Sequence, residues 1–198
     1  MGNVEYTLDY YKEFADEFYE STIIADVEYL RERFLKHLPE QAHILDLGCG
    51  SGRDTKAFVD RGYKVDAIDG SPEMCERASE YSGVHVKCMD FFDLEDNGKY
   101  DGIWACASIL HVERDRVPDM IGKMRDALKP GGVMYISFKY GDFSGLRDGR
   151  YFVDLNEELF REITKDISGI QIIDEWVSVD VRRGKDVTWL NELIKRED

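Results

Sequence analysis

The sequence predicts an α/β protein in three layers, a mostly parallel open sheet covered by helices on both faces. Three observations point there. Five short apolar runs alternate with helix-like segments, and each run is too uniformly apolar for a sheet that faces water on one side. The first run ends in "GCGSG", three glycines at alternate positions directly ahead of a helix. Such a bare backbone permits positive φ and close approach of a ligand, as in the strand-to-helix turn of an open α/β sheet. Two β-rich runs then close the chain.

In chain order, residues 5–38 read as helices, with Tyr11, Phe14 and Phe18 on one stripe and Val27, Leu30, Phe34 and Leu38 on another. Residues 1–38 are therefore expected as a helical extension and 39–198 as the sheet domain. The first strand, "HILDL" (43–47), passes through the glycines into the helix "DTKAFVDRGY", which Gly62 stops. "YKVDAID" (63–69) is the second strand. Ser71 and Pro72 then begin a helix, serine as N-cap and proline in the first turn. "VHVKCMD" (84–90) and "YDGIWACAS" (100–108) are strands three and four. Val117, Ile121, Met124 and Leu128 give 114–128 a helical period, ended by "LKPGG". "VMYISFK" (133–139) is the fifth strand. "FKYGDFSGLRDGRYFV" connects it to the helix in "DLNEELFREI", before the β-rich runs "IQIIDEWVSVDV" and "DVTWLNELI".

The whole-chain properties bound the function. At 198 residues this is one domain, and 41 acids against 26 bases give a formal charge of −15. That surface repels nucleic-acid phosphates and anionic membranes, and no basic run offsets it. There is no signal peptide and no apolar run near twenty residues, so a soluble, cytoplasmic protein is expected. The cysteines (Cys49, Cys75, Cys88, Cys106) form no CxxC pair and read as reduced thiols; no metal site is expected.

The glycine spacing separates candidate ligands. A dinucleotide turn needs a third glycine where this chain has Arg53 or Thr55, and a phosphate loop needs a Gly-Lys-Ser/Thr ending. Both are absent. Instead an acid marks each of the first three strands: Asp46 just before the glycines, Asp69 at the end of strand two and Asp90 at the end of strand three. Three carboxylates around one crevice suit a ligand that carries positive charge.

Together "ILDLGCGSGRD", "VDAIDGSPEMCERA", "VKCMDFFDL", "YDGIWACASILHV" and "LKPGGVMYISFK" resemble, in order and spacing, the class I S-adenosylmethionine-dependent methyltransferases. The likeness covers about residues 40–140, and within the family the chain looks most like small-molecule enzymes, the tellurite-resistance type included. It implies a Rossmann-like sheet of seven strands, order 3-2-1-4-5-7-6, with the last strand antiparallel. It also implies S-adenosylmethionine as cofactor and methyl transfer by in-line displacement. Carried over by position, Gly48, Cys49 and Gly50 would touch the methionyl part and Asp69 the ribose. Gly70, Ser71 and Met74 would lie near the ribose and adenine. Asp90 and the Phe91 amide would read the adenine, and the main chain at Ala105–Cys106 would accept from the methionyl ammonium. For Asp46 a second reading stays open, that it holds the glycine loop by accepting backbone N–H bonds. Arg53 either reaches the methionyl carboxylate or forms an ordinary ion pair.

For the acceptor side the residues offer less. Strand four lacks the Asn/Asp-Pro-Pro-aromatic motif usual in nucleic-acid amino-methylation. His111 is the one group there with a neutral-range pKa, either a general base or a residue that orients its loop. Lys139, Tyr140, Arg147, Arg150 and Tyr151 make a cationic–aromatic set in an acidic chain, fitted to an anionic acceptor or to a plain surface loop. The N-terminal aromatics either close as a lid, Tyr11 or Tyr19 over the cofactor, or only stitch the extension to the sheet. Taken together, the expectation is methyl transfer to a small-molecule acceptor. A protein or RNA methyltransferase and a catalytically silent cofactor-binding partner are the alternatives.

Overall fold

The computed structural model describes residues 3–182 and 184–198. Three helices, α1 (Asn3–Glu13), α2 (Ala15–Ile23) and α3 (Glu28–Leu35), precede the first strand. The alternating part runs β1 (His43–Leu47), α4 (Arg53–Asp60), β2 (Lys64–Asp69), α5 (Pro72–Ser82), β3 (Val86–Cys88) and β4 (Tyr100–Ala105). It continues through α6 (Val117–Ala127) into β5 (Leu128–Lys139). A hairpin, β6 (Ser144–Arg147) and β7 (Arg150–Val153), comes before α7 (Glu157–Thr164), β8 (Ile170–Val179) and β9 (Thr188–Arg196).

The seven main strands lie in the order β3-β2-β1-β4-β5-β9-β8. Without the separate hairpin this is the expected 3-2-1-4-5-7-6. β1 to β5 pair in parallel, and β9 runs antiparallel to both β5 and β8. Side chains that alternate along a strand build two cores. On one face Leu45, Ile103, Met134 and Ile136 pack with Ile121 and Met124 of α6 and Phe160 of α7. On the other Ile44, Trp104 and Tyr135 pack with Leu30 and Phe34 of α3 and Phe58 of α4. Trp104 stacks on Tyr135 with centroids 4.2 Å apart.

The differences from expectation have local causes. Strand three is only Val86–Cys88, and strand four stops at Ala105. β5 begins at Leu128, because the chain passes through "KPGG" extended and the pairing with β4 slips between Tyr100 and Gly102. The connection after β5 is a hairpin rather than a loop. Asp148 and Gly149 take φ of 52° and 76°, the two positive values that a tight two-residue hairpin turn demands.

One buried group gives the fold a pH dependence. Glu192 on β9 is fully buried opposite Glu175 of β8, the side chain it meets across the strand pair. Burial, then the Glu175 carboxylate, pushes its pKa up to about 9. The folded chain thus keeps a proton that the unfolded chain releases above about pH 4.3, so stability falls as pH rises from there toward 9. Glu192→Gln should raise the melting temperature at pH 8 and give no gain near pH 4. A gain independent of pH would show that Glu192 is not the titrating group.

Candidate functional site

A cavity of about 530 Å³ opens at the carboxyl ends of β1, β2, β4 and β5, the crevice where open α/β sheets take ligands. Its floor is the glycine turn. The amides of Gly48 and Cys49 both donate to the carbonyl of Ile68, at 2.9 and 3.0 Å, tying the turn to β2. Gly48 has φ of 78°, and a Cβ there would fall 2.4 Å from Cβ of Ser108, so the position takes no side chain.

Asp69 organises this turn. Its carboxylate accepts from the Gly50 amide and from the Ser71 amide, both at 2.9 Å. Burial raises its pKa, and backbone N–H donors from Ser71, Gly50 and Gly70 oppose the shift. The loop-holding task considered for Asp46 therefore falls to Asp69, which keeps lone pairs for a further donor. Asp46 instead accepts the Thr55 hydroxyl at 2.6 Å. Burial, then the Asp54 carboxylate, pushes Asp46 up to about 7.

Arg53 is an ion-pair residue. It grips Asp54 with Nε at 3.0 Å and Nη2 at 2.7 Å, while Arg31 and the Trp104 indole donate to the same carboxylate at 2.6 and 2.9 Å. Burial alone would raise Asp54; the guanidinium of Arg53, then Arg31 and Trp104, hold it below the usual carboxylate range. Asp90 accepts the Phe92 amide at 2.8 Å, and Phe91 packs against the glycine turn. Cys49 and Cys106 are thiols, since burial drives the first well above its ordinary range and the second to about 12.

Beyond β4, Ala107 holds a φ of 53° while its amide donates to Ser137 Oγ at 2.8 Å. Such a non-glycine conformation is strained and survives because its surroundings fix it. His111 follows. Its Nδ1 lies 2.6 Å from the Tyr151 carbonyl, which only accepts, so Nδ1 carries the proton and Nε2 accepts the Tyr11 hydroxyl at 3.0 Å. Burial, with Arg150 and Lys139 nearby, lowers His111 to about 3. A histidine with that pKa and an occupied lone pair is a poor general base near neutral pH, which favours the second of its two readings. Its geometry orients Tyr11.

The structure thus brings Asp46, Gly48, Cys49, Gly50, Arg53, Asp69, Gly70, Met74, Asp90, Phe91 and Cys106 to one cavity, together with Tyr11, His111, Lys139 and Arg150. Six expected residues are not on its wall, among them Arg147, which pairs with Asp154, and Tyr151, whose hydroxyl meets Ser144 Oγ at 2.9 Å. Ala105 is sealed inside the sheet opposite Ile136. Ser71 is buried as the cap of α5. Tyr19 packs on Tyr81, and Tyr140 is exposed, its hydroxyl on Glu157 at 2.9 Å.

Other wall residues went unread in the sequence. Thr7, Leu8, Phe18 and Thr22 come down from α1 and α2; Phe18 lies over Gly50 and Leu8 over Gly70. Asn191 and Trp189 arrive from β9. Asn191, buried, accepts the Tyr135 hydroxyl at 2.7 Å. A lone asparagine inside the apolar run "WLNELI" was a visible signal, and Phe18 belonged to the aromatic stripe read as a candidate lid; Thr7, Leu8 and Thr22 had none.

The carboxylate-lined end, with carbonyls and no phosphate cradle, fits a ligand bearing an ammonium and a sulfonium. Residues 44–132 match the methyltransferase-domain family. A methyltransferase of Staphylococcus carnosus is 27% identical over 205 residues, 95% of this chain and 99% of that protein. Residues 44–132 form an S-adenosylmethionine-dependent methyltransferase domain of the class I kind. S-adenosylmethionine is its cofactor. The ubiquinone biosynthesis O-methyltransferase of Rickettsia canadensis shares 30% identity over 118 residues, 56% of this methyltransferase and 49% of that enzyme. The malonyl-[acyl-carrier protein] O-methyltransferase of Acetivibrio thermocellus shares 35% over 109 residues, 52% and 38%. The methyltransferase spans about half or less of the length of these two. Among solved structures, the Burkholderia thailandensis 1,6-didemethyltoxoflavin-N1-methyltransferase, with that compound and S-adenosylhomocysteine bound, has the same fold. It aligns at TM-score 0.75 and 22% identity over 96% of this chain and 85% of that one.

Proposed function

We propose that this methyltransferase methylates a small molecule inside the cavity roofed by α1 and α2. The carrying observation is that roof: Phe18 stands over the glycine turn, Leu8 over the end of β2 and Tyr11 against His111, which leaves a pocket of small-molecule size. The formal charge of −15 and the O- and N-methyltransferase relatives support the same choice. Among the described residues, no helix is long and apolar enough to cross a membrane.

In this reading Asp69 takes the ribose hydroxyls on its remaining lone pairs. Asp90 and the Phe91 amide read the adenine, with Gly70 and Met74 alongside. Gly48, Cys49, Gly50 and the main chain at Cys106 hold the methionyl part, near the Asp46 carboxylate. Arg53, committed to Asp54, positions the turn. S-adenosylmethionine supplies a methyl group already activated on a sulfonium, so the chain contributes alignment of the acceptor and exclusion of water. His111 keeps Tyr11 in place rather than taking a proton. Residues 1–38 divide in role: α3 belongs to the core, and α1 with α2 forms a lid.

Methyl-labelled S-adenosylmethionine, incubated separately with a metabolite extract, RNA and protein from one cell type, tests the proposal. Label should enter the low-molecular-weight fraction. Label confined to RNA or protein would overturn it, as would tight cofactor binding without transfer to any fraction.

A further inference from the structure

The far side of the cavity from the carboxylates carries the opposite charge, and two of its cations make no ion pair among the described residues. Lys139 ends β5 and Arg150 begins β7, and both reach the cavity wall. Other cations nearby are neutralised: Arg147 clasps Asp154 with two bonds of 2.9 Å, Arg182 pairs with Asp180, and Arg53 with Asp54. Among the described residues, neither Lys139 nor Arg150 has a carboxylate partner. Each is only half-buried as a residue, yet Arg150 Nε is sealed from solvent with no hydrogen-bond partner. Both cations lie instead against rings: the Lys139 ammonium is 3.8 Å from the centroid of Phe152. The Arg150 guanidinium is 5.0 Å from that centroid and 4.2 Å from that of Tyr10.

A ring face attracts a cation but offers no lone pair to its N–H edge. In a chain of formal charge −15, leaving two cations without an acid at a ligand cavity is a costly arrangement unless a ligand completes it. Burial, then the guanidiniums of Arg147 and Arg150, lowers Lys139 to about 8 against the pull of the Asp154 carboxylate, which is itself clasped by Arg147. Between the two ends stands the Tyr11–His111 pair, its hydroxyl and imidazole 3.0 Å apart. Asp69 and Lys139 end strands three positions apart in the sheet, about 14 Å at ordinary strand spacing.

We propose that Lys139 and Arg150 form an oxyanion subsite, so that the acceptor is a small molecule with a flat apolar body and a carboxylate-like group. The inference rests on the reading that the carboxylate end holds the cofactor. The guanidinium and ammonium take the anionic oxygens, and Trp189, on the cavity wall beside Lys139 across the β5–β9 pairing, takes the apolar body. Charge then sorts the two ligands within one cavity, the cationic cofactor at the acidic end and the anionic acceptor at the basic end.

Benzoate and its neutral isostere benzamide are suitable probes, titrated by calorimetry into the full chain saturated with S-adenosylhomocysteine. Benzoate should bind at least about tenfold more tightly than benzamide. Lys139→Gln and Arg150→Gln should each weaken benzoate by about fivefold or more while S-adenosylhomocysteine affinity stays within about twofold. Arg150→Lys, which keeps the charge, should retain part of the benzoate affinity. Equal binding of the two probes, no benzoate binding, or benzoate binding unchanged in both glutamine variants would overturn the subsite. Should a glutamine variant fail to fold, the comparison of probes on the unaltered chain still decides. Failure of the unaltered chain to bind S-adenosylhomocysteine would instead overturn the placement of the cofactor.

Discussion

Asp69→Ala should weaken S-adenosylhomocysteine binding by at least about a hundredfold while the chain stays folded. The carboxylate accepts two backbone amides, Gly50 and Ser71, one from the glycine turn and one from the start of α5. Hydrogen bonds to a charged group contribute about 1.5–3 kcal/mol each. The substitution removes both, frees the two loops relative to each other and takes away the acceptor assigned to the ribose. Asp69→Asn, which keeps one acceptor oxygen, should fall between. Calorimetry that finds the alanine variant with unchanged affinity would remove Asp69 from the site.

The largest effect on stability is expected at Asp54. Its carboxylate joins Arg53, Arg31 and the Trp104 indole beneath the glycine turn, all within the core face that carries α3 and α4. Breaking a buried ion pair from one side typically costs about 3–5 kcal/mol, because the partner charge is stranded. In Asp54→Ala, Arg53 loses its carboxylate, whereas Arg31 retains Glu28 at 2.8 Å. The expected loss is therefore about 3 kcal/mol, read as a lowered urea midpoint. A loss under about 1 kcal/mol would mean that water already reaches the network.

The sheet was legible because each strand carries its own signal. "HILDL", "VDAID" and "MYISF" are apolar enough to be buried on both faces, and Ser71-Pro72 announces α5 by its capping chemistry. The glycines were legible too, since Gly48 lies where no Cβ fits. What stayed hidden depends on partners distant in the chain. The depressed pKa of His111 comes from burial and from Arg150 and Lys139, and its hydrogen bonds to Tyr151 and Tyr11 reach 40 and 100 residues along the chain. The passing of the loop-holding task from Asp46 to Asp69 is of the same kind, because the curl of the turn decides which carboxylate meets the Gly50 amide. The β6–β7 hairpin was readable after all, as Asp148-Gly149 is a strong turn signal between short β-rich segments.

Hydrogen exchange with and without S-adenosylhomocysteine tests the account most directly, because it reads the cofactor seat and the lid together. The account predicts added protection at 48–53, 69–74 and 90–92, and across 5–22 as α1 and α2 settle over the bound cofactor. Protection absent from the first three segments, or found instead with NAD, would contradict the seat; unchanged exchange at 5–22 would make the roof a permanent cap and not a lid.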